Sequence, residues 1–166
     1  QAAVLLVKLA GPEQASAADN WIAGFRDVPA SIAQEVNYAA RQSWITGATV
    51  VEFRPDAALT ANAWSAFLLR MLGYSDKAGD FTIADAAGFA QRIGLFPIAY
   101  TGTLTQGDLF EMAADALSFS YRDGSATVIG RLVSQGTVSQ AAANALGLLT
   151  PALTARQVAD RLGYDL

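Results

Sequence analysis

The sequence predicts a mainly α-helical domain built from degenerate repeats, with short extended segments and a helical C-terminal extension. Composition is the first observation: hydrophobic residues make up 52% of the 166 residues and charged residues 16%, which indicates a chain that folds around a core. The second is that apolar residues recur at helical spacing in several segments that resemble one another. Stacked or pseudo-symmetric units that share one core are therefore expected.

The clearest repeat pairs residues 59–72 with residues 104–117, and both segments begin Leu-Thr. Their apolar positions fall opposite one another at helical spacing, so each segment predicts one helix with one apolar stripe. Thr60 and Thr105 stand where an N-cap hydroxyl accepts a bond from the first-turn amides. Gly73 follows the first stripe, as a glycine at a helix C-terminus does.

Two further segments resemble the same unit. Residues 1–11 match residues 63–73, with the Leu-Thr head of the unit missing. Residues 153–164 give a fourth copy whose helix is about one turn shorter.

Other helices are predicted between these copies. Asp27, in Asp27-Val28-Pro29, is interpreted as the cap that starts the first of them, and Thr46-Gly47 ends it. Residues 50–53 predict a short extended segment, and Asp123-Gly124 predicts a turn. The additional predicted helices cover residues 32–44, 84–93, 126–135 and 138–148.

The composition also argues against several classes of function. The chain has no cysteine, so disulfides and thiolate metal sites are ruled out, and no histidine, the commonest general base and metal ligand. The loop at residues 76–80 lacks the alternating ligands of a calcium-binding EF-hand. A net charge of −4 without a basic cluster argues against nucleic acid, and no apolar run reaches the roughly 20 residues that span a bilayer. We therefore expect no enzyme activity, no cofactor, no metal and no membrane insertion.

A family resemblance rests on the order and spacing of several short elements. The elements are Phe25-Arg26-Asp27-Val28-Pro29, Tyr38-Ala39-Ala40, Trp44-Ile45-Thr46-Gly47, Phe53-Arg54-Pro55-Asp56 and Leu59-Thr60. Together they resemble an S-layer homology motif, most clearly over residues 21–74. Residues 1–20 resemble the tail of a preceding motif and residues 75–119 a divergent third motif. Residues 1–119 would then form the repeat domain, and residues 120–166 a helical extension packed on it.

The resemblance implies a pseudo-threefold, extracellular, non-catalytic module on a bacterial cell surface or cell wall. Such domains bind pyruvylated secondary cell-wall polysaccharide in grooves between motifs, where an arginine can hold a ketal carboxylate and an aromatic ring can stack on a sugar. For Arg54 the alternative is a solvated side chain or a pair with Asp56, and for Asp108 a helix-dipole role. The expected glycan-binding residues are Trp21, Arg54, Thr60, Thr105 and Asp108.

The sequence departs from the family pattern at the ligand-bearing positions. Ala61 and Gln106 stand where the motif has arginine, and Ala63 and Asp108 where it has glutamate. This loss favours a structural subunit of a surface layer or another extracellular assembly, and anchoring to wall polysaccharide is the alternative.

Self-association is expected to use the first predicted helix. A unit without its head would expose an apolar edge, with Val4, Leu5 and Val7, that a second copy or another surface-protein subunit could cover. The alternative explanation of the shortened unit is processing of the chain.

Three tryptophans are candidates for sugar stacking or for the core. Trp64 lies on the apolar stripe and Trp44 at a helix end, so core packing is expected for both. Trp21 follows a polar stretch and is the candidate for an exposed aromatic residue.

Overall fold

Short helices joined by turns and loops make up the described part of the chain. A computed structural model describes residues 1–11, 17 and 20–149. The fourth copy predicted at residues 153–164 lies outside the described residues. Within them the helices are α1 Ala2–Ala10, α2 Ala33–Arg41, α3 Ala61–Met71, α4 Ala86–Arg92, α5 Gln106–Leu117, α6 Val128–Ser134 and α7 Gln140–Ala145, and a 3₁₀ turn at Ile83–Asp85 leads into α4. The mainly α-helical class is confirmed.

The helix ends follow the local signals in the sequence. The Thr60 hydroxyl accepts a bond from the Ala63 amide and so caps α3. Thr105 caps α5 in the same way and forms a capping box with Asp108. Gly73 adopts a φ of 96°, which permits the left-handed turn that ends α3. These predicted ends are confirmed.

The extended segment predicted at residues 50–53 is wrong. The Thr49 amide donates to the Glu52 carbonyl at 3.1 Å, and the Thr49 hydroxyl accepts from the Val51 and Glu52 amides. This closes a tight turn at the place where the sequence predicted a short extended segment. The described residues contain no strand, only isolated bridges between Thr60 and Thr103 and between Ser120 and Thr127.

One hydrophobic core collects the apolar stripes of the helices. Trp64, Leu68 and Met112 are fully buried in it, so the expected core position of Trp64 is confirmed. Helix α1 lies centrally and contacts α2, α3, α5 and α6. Ile129 and Leu132 of α6 belong to the same core, so residues 128–134 pack on the helices that precede them.

The position of α1 corrects the expected self-association edge. Val7 is only 1% exposed and packs into the core of its own chain. Leu5 is partly buried against that core, and Val4 is half-buried. The apolar face of α1 is thus covered by the chain's own helices, because α2, α3 and α5 surround it.

Candidate functional site

A cavity of about 490 Å³ opens where the loop before α3 meets the amino ends of two helices. We call it the Arg54 pocket. Residues 53–59 and the first turns of α1 and α5 contribute most of its lining. Its described lining residues are Gln1, Ala2, Ala3, Ile32, Thr46, Phe53, Arg54, Pro55, Asp56, Ala57, Ala58, Leu59, Phe67, Leu104, Thr105, Gln106 and Leu109. Polar and apolar residues both line the pocket, and its charged side chains among these residues are Arg54 and Asp56.

The backbone at Arg54 is held in an unusual conformation. Its φ is 60°, in the left-handed region that costs a residue with a Cβ roughly 1 kcal/mol. Asp27 stabilises this conformation from a distant part of the chain. Its Oδ1 accepts from the Phe53 amide at 2.8 Å, and its Oδ2 accepts from the Arg54 amide at 2.7 Å.

The role predicted for Asp27 is therefore wrong. Helix α2 begins at Ala33 after Ile32, which makes no side-chain cap. Asp27 instead anchors the pocket loop, and the Phe53 amide, more than the Arg54 amide, holds the pKa of Asp27 below its ordinary value of 3.8.

The side chain of Arg54 already forms an ion pair with a neighbouring residue. Its Nε and Nη2 atoms both donate to Oε2 of Glu52, at 3.1 and 2.9 Å. Both side chains are about half exposed, at 59% and 45%, and an ion pair with this exposure contributes little to stability. An incoming carboxylate can therefore compete for the guanidinium at small cost. Arg54 thus pairs with Glu52, whereas the alternative considered from the sequence was a solvated side chain or a pair with Asp56.

A second groove, the Tyr100 groove, lies at the amino end of α3 and has a volume of about 450 Å³. The Asn62 side chain joins two parts of its wall, since it donates to the Ala84 carbonyl and accepts from the Ala87 amide. Asp85 is its charged lining residue among those described. Burial, followed by the carboxylates of nearby Asp115, Glu111 and Asp108, raises the pKa of Tyr100. Carboxylates therefore surround Tyr100 in this groove.

The expected glycan-binding residues are not gathered at one site. Arg54 and Thr105 line the Arg54 pocket, whereas Thr60 lines the Tyr100 groove. Trp21 is 43% exposed and lines neither of these cavities. Asp108 is engaged in the capping box, where its Oδ2 accepts from both the amide and the hydroxyl of Thr105 at 2.7 Å. The Thr105 hydroxyl and then its amide hold the pKa of Asp108 below its ordinary value.

Sequence reasoning missed Asp27 and Asn62 as the residues that shape these cavities. Asp27 bonds to amides 26 and 27 positions away, and Asn62 bonds to groups 22 and 25 positions away. Helical periodicity and local capping rules carry no signal for such pairings. A signal for the importance of Asp27 was present in the sequence, namely its position in the Asp27-Val28-Pro29 element.

The carboxylates of the loop at residues 75–80 are bonded to other groups of the same chain. Asp76 accepts two bonds from Arg70, and Asp80 accepts from the Ser75 amide and from Arg122. Within the ranges that the structure describes, no group of three or more acidic side chains is arranged to hold a metal ion. In those same ranges, every helix is too short or too polar to cross a bilayer.

Comparison with known proteins identifies no relative: no family model, no curated protein and no solved structure matches this chain.

Proposed function

We propose that this chain is a non-catalytic bacterial cell-surface module that binds an acidic cell-wall polysaccharide through the Arg54 pocket. The observation that carries the proposal is the backbone of Arg54, whose φ is 60° and whose loop donates two amide bonds to the Asp27 carboxylate. Strained residues that the surrounding structure holds in place are concentrated at ligand sites.

The chemistry of the pocket suits a sugar that carries a carboxylate. Arg54 supplies a planar fork of donors, which matches a carboxylate or a ketal acid. Phe53 and Phe67 line the same cavity and offer apolar surface to the faces of a sugar ring. The S-layer homology resemblance of residues 21–74 supports an extracellular, wall-associated location, although Ala61 and Gln106 replace the arginine of the motif.

Sedimentation with purified wall polysaccharide that carries ketal carboxylates tests the proposal. The unaltered chain should sediment with the polysaccharide, and Arg54→Ala should weaken this retention at least tenfold. Arg92→Ala is the matched control, because Arg92 also forms an exposed ion pair, with Asp85, away from the Arg54 pocket. Polysaccharide with reduced carboxyl groups should not retain the protein.

Two outcomes would contradict the proposal. The first is an absence of retention at any ionic strength. The second is equal retention of the unaltered chain and the Arg54→Ala variant when circular dichroism shows that both are folded.

A second candidate function is a structural subunit of a surface layer or another extracellular assembly. The observation that favours it is Val50, which is 90% exposed at the tip of the tight turn that Thr49 closes. A rigid turn that presents an apolar side chain suits a contact between subunits. Light scattering should then show association that increases with concentration and decreases in Val50→Ser. A monomer at high concentration would contradict this function.

A further inference from the structure

A third cavity lies at the opposite end of α3 from its amino-terminal cap, and its volume is about 550 Å³. We call it the Arg131 cavity. Its described lining residues are Met71, Leu72, Gly73, Tyr121, Arg122, Asp123 and Arg131. It shares no lining residue with the Arg54 pocket or the Tyr100 groove, so its chemistry is independent of theirs.

Arg131 is held in a fixed orientation by an aromatic ring. Its Cζ lies 3.5 Å from the centroid of the buried Tyr121 ring. A guanidinium stacked at this distance gains a cation–π interaction, and its N–H groups remain directed along its edge. The Nη2 atom donates a long bond of 3.4 Å to the Ser125 hydroxyl.

Arg131 differs from the other arginines whose side-chain bonds are described. Arg54, Arg70, Arg92 and Arg122 each bond to a carboxylate at 3.1 Å or less. For Arg131, the ion pairs of the described residues include no carboxylate within 4.0 Å. The Asp123 carboxylate attracts Arg131 electrostatically without forming an ion pair within 4.0 Å, so no carboxylate of those residues bonds directly to the guanidinium.

Two charged residues beside Arg131, Arg122 and Asp123, also line the cavity. Arg122 donates to Asp80 Oδ1 at 2.8 Å, and its amide donates to the Leu72 carbonyl. Asp123 is exposed, its Oδ1 accepts from the Ser125 amide at 3.0 Å, and its carboxylate also bonds to the Ser125 hydroxyl. The cavity therefore combines a guanidinium that has no carboxylate of the described residues within 4.0 Å, an exposed carboxylate that attracts it, and the apolar lining residues Met71 and Leu72.

From this geometry we infer that the Arg131 cavity binds a small carboxylic acid that carries a hydroxyl or amino group beside its carboxylate. Arg131 binds the carboxylate through its N–H edge, and Asp123 accepts a hydrogen bond from the neighbouring hydroxyl or ammonium group. A hydroxy acid and an amino acid both have this chemistry, whereas a simple carboxylate has only the first half of it.

Titration of the ¹⁵N-labelled chain with acetate, lactate and alanine tests the inference. Lactate or alanine should give saturable shifts of the Gly73, Arg122 and Asp123 amides at concentrations at least tenfold lower than acetate. Comparison of lactate with alanine then distinguishes a hydroxy acid from an amino acid. Sodium chloride at equal ionic strength is the control for nonspecific anion effects.

Substitutions test the proposed contacts of Arg131 and Asp123 one at a time. Arg131→Gln should abolish saturation by all three compounds, while Asp123→Asn should remove the advantage of lactate and alanine and leave the acetate response. Arg92→Gln is the matched control and should leave all three titrations unchanged. The inference is overturned by linear, unsaturated shifts in the unaltered chain. It is also overturned by unchanged saturation in an Arg131→Gln variant whose dispersed spectrum shows that it is folded.

Discussion

Arg54 occupies a backbone conformation that suits glycine better than arginine. Its φ of 60° is maintained because the Asp27 carboxylate accepts from two consecutive amides of the loop. Substitutions at Arg54 can therefore separate the energetic cost of the backbone conformation from the contribution of the guanidinium group to binding.

We expect Arg54→Gly to be more stable than Arg54→Ala by about 1 kcal/mol, because only glycine removes the steric cost of the Cβ. Both variants lack the guanidinium, so both should lose polysaccharide binding. Urea denaturation of the two variants measures the difference. Equal midpoints would mean that the loop carries no such strain.

Asp27 gives the loop a pH dependence with a defined sign. Its pKa in the folded chain lies below 3.8, chiefly because of the Phe53 amide. Its contribution to stability is therefore fully present above pH 3.8 and is lost as the pH falls through the lowered pKa.

Asp27→Asn should accordingly melt at a lower temperature than the unaltered chain at pH 6, and this gap should narrow as the pH falls below 3.8. Thermal melts of both proteins across that range check the sign. The same melting temperature for both at pH 6 would contradict the anchoring role. Asp56→Asn, in the same loop, is the matched control.

At the scale of the element, the sequence predicted those features that depend on contacts between residues close together in the chain. The starts of α3 and α5 were predictable because Thr60 and Thr105 bond to amides three residues ahead. The turn at residues 49–52 was not, because apolar residues there suggested a strand while Thr49 closed a turn. The candidate site was predictable only at Arg54 and Thr105, since Asp27 bonds across a long separation in sequence.

Removal of the N-terminal cap of α5 tests how much this cap contributes to stability. Thr105→Ala should lower the free energy of unfolding by about 1 kcal/mol, because the Asp108 amide loses its acceptor. Thr105→Ser retains the hydroxyl and should restore most of this loss. Chemical denaturation followed by far-ultraviolet circular dichroism measures both, and an unaffected Thr105→Ala variant would contradict the role of the cap.

At the scale of the whole molecule, one core joins the first and the later helices. Leu6 of α1 and Leu132 of α6 belong to the same buried cluster. The resemblance to repeated motifs predicted helices with apolar stripes, but it did not predict that Val7 would be enclosed by the chain itself. Enclosure depends on how the helices meet in space, which periodicity within each helix does not specify.

Leu6→Ala and Leu132→Ala should each lower the free energy of unfolding by about 2–5 kcal/mol, since both leave a cavity in the shared core. Each variant should still unfold in a single transition, shifted to lower denaturant concentration. Ile98→Ala, at an exposed position, is the control and should change little. Two separate transitions in either core variant would show that α1 and α6 do not belong to one cooperative unit.

The central position of α1 has a consequence for how the chain is made. The ribosome synthesises α1 before α6, one of the helices that cover it. Until α6 has been made, Leu6 and Val7 lack part of their buried surroundings, although α2 and α3 are already present. The core around α1 is therefore expected to close only after α6 has been synthesised, and α1 is the helix that chaperones would have to protect from aggregation until then.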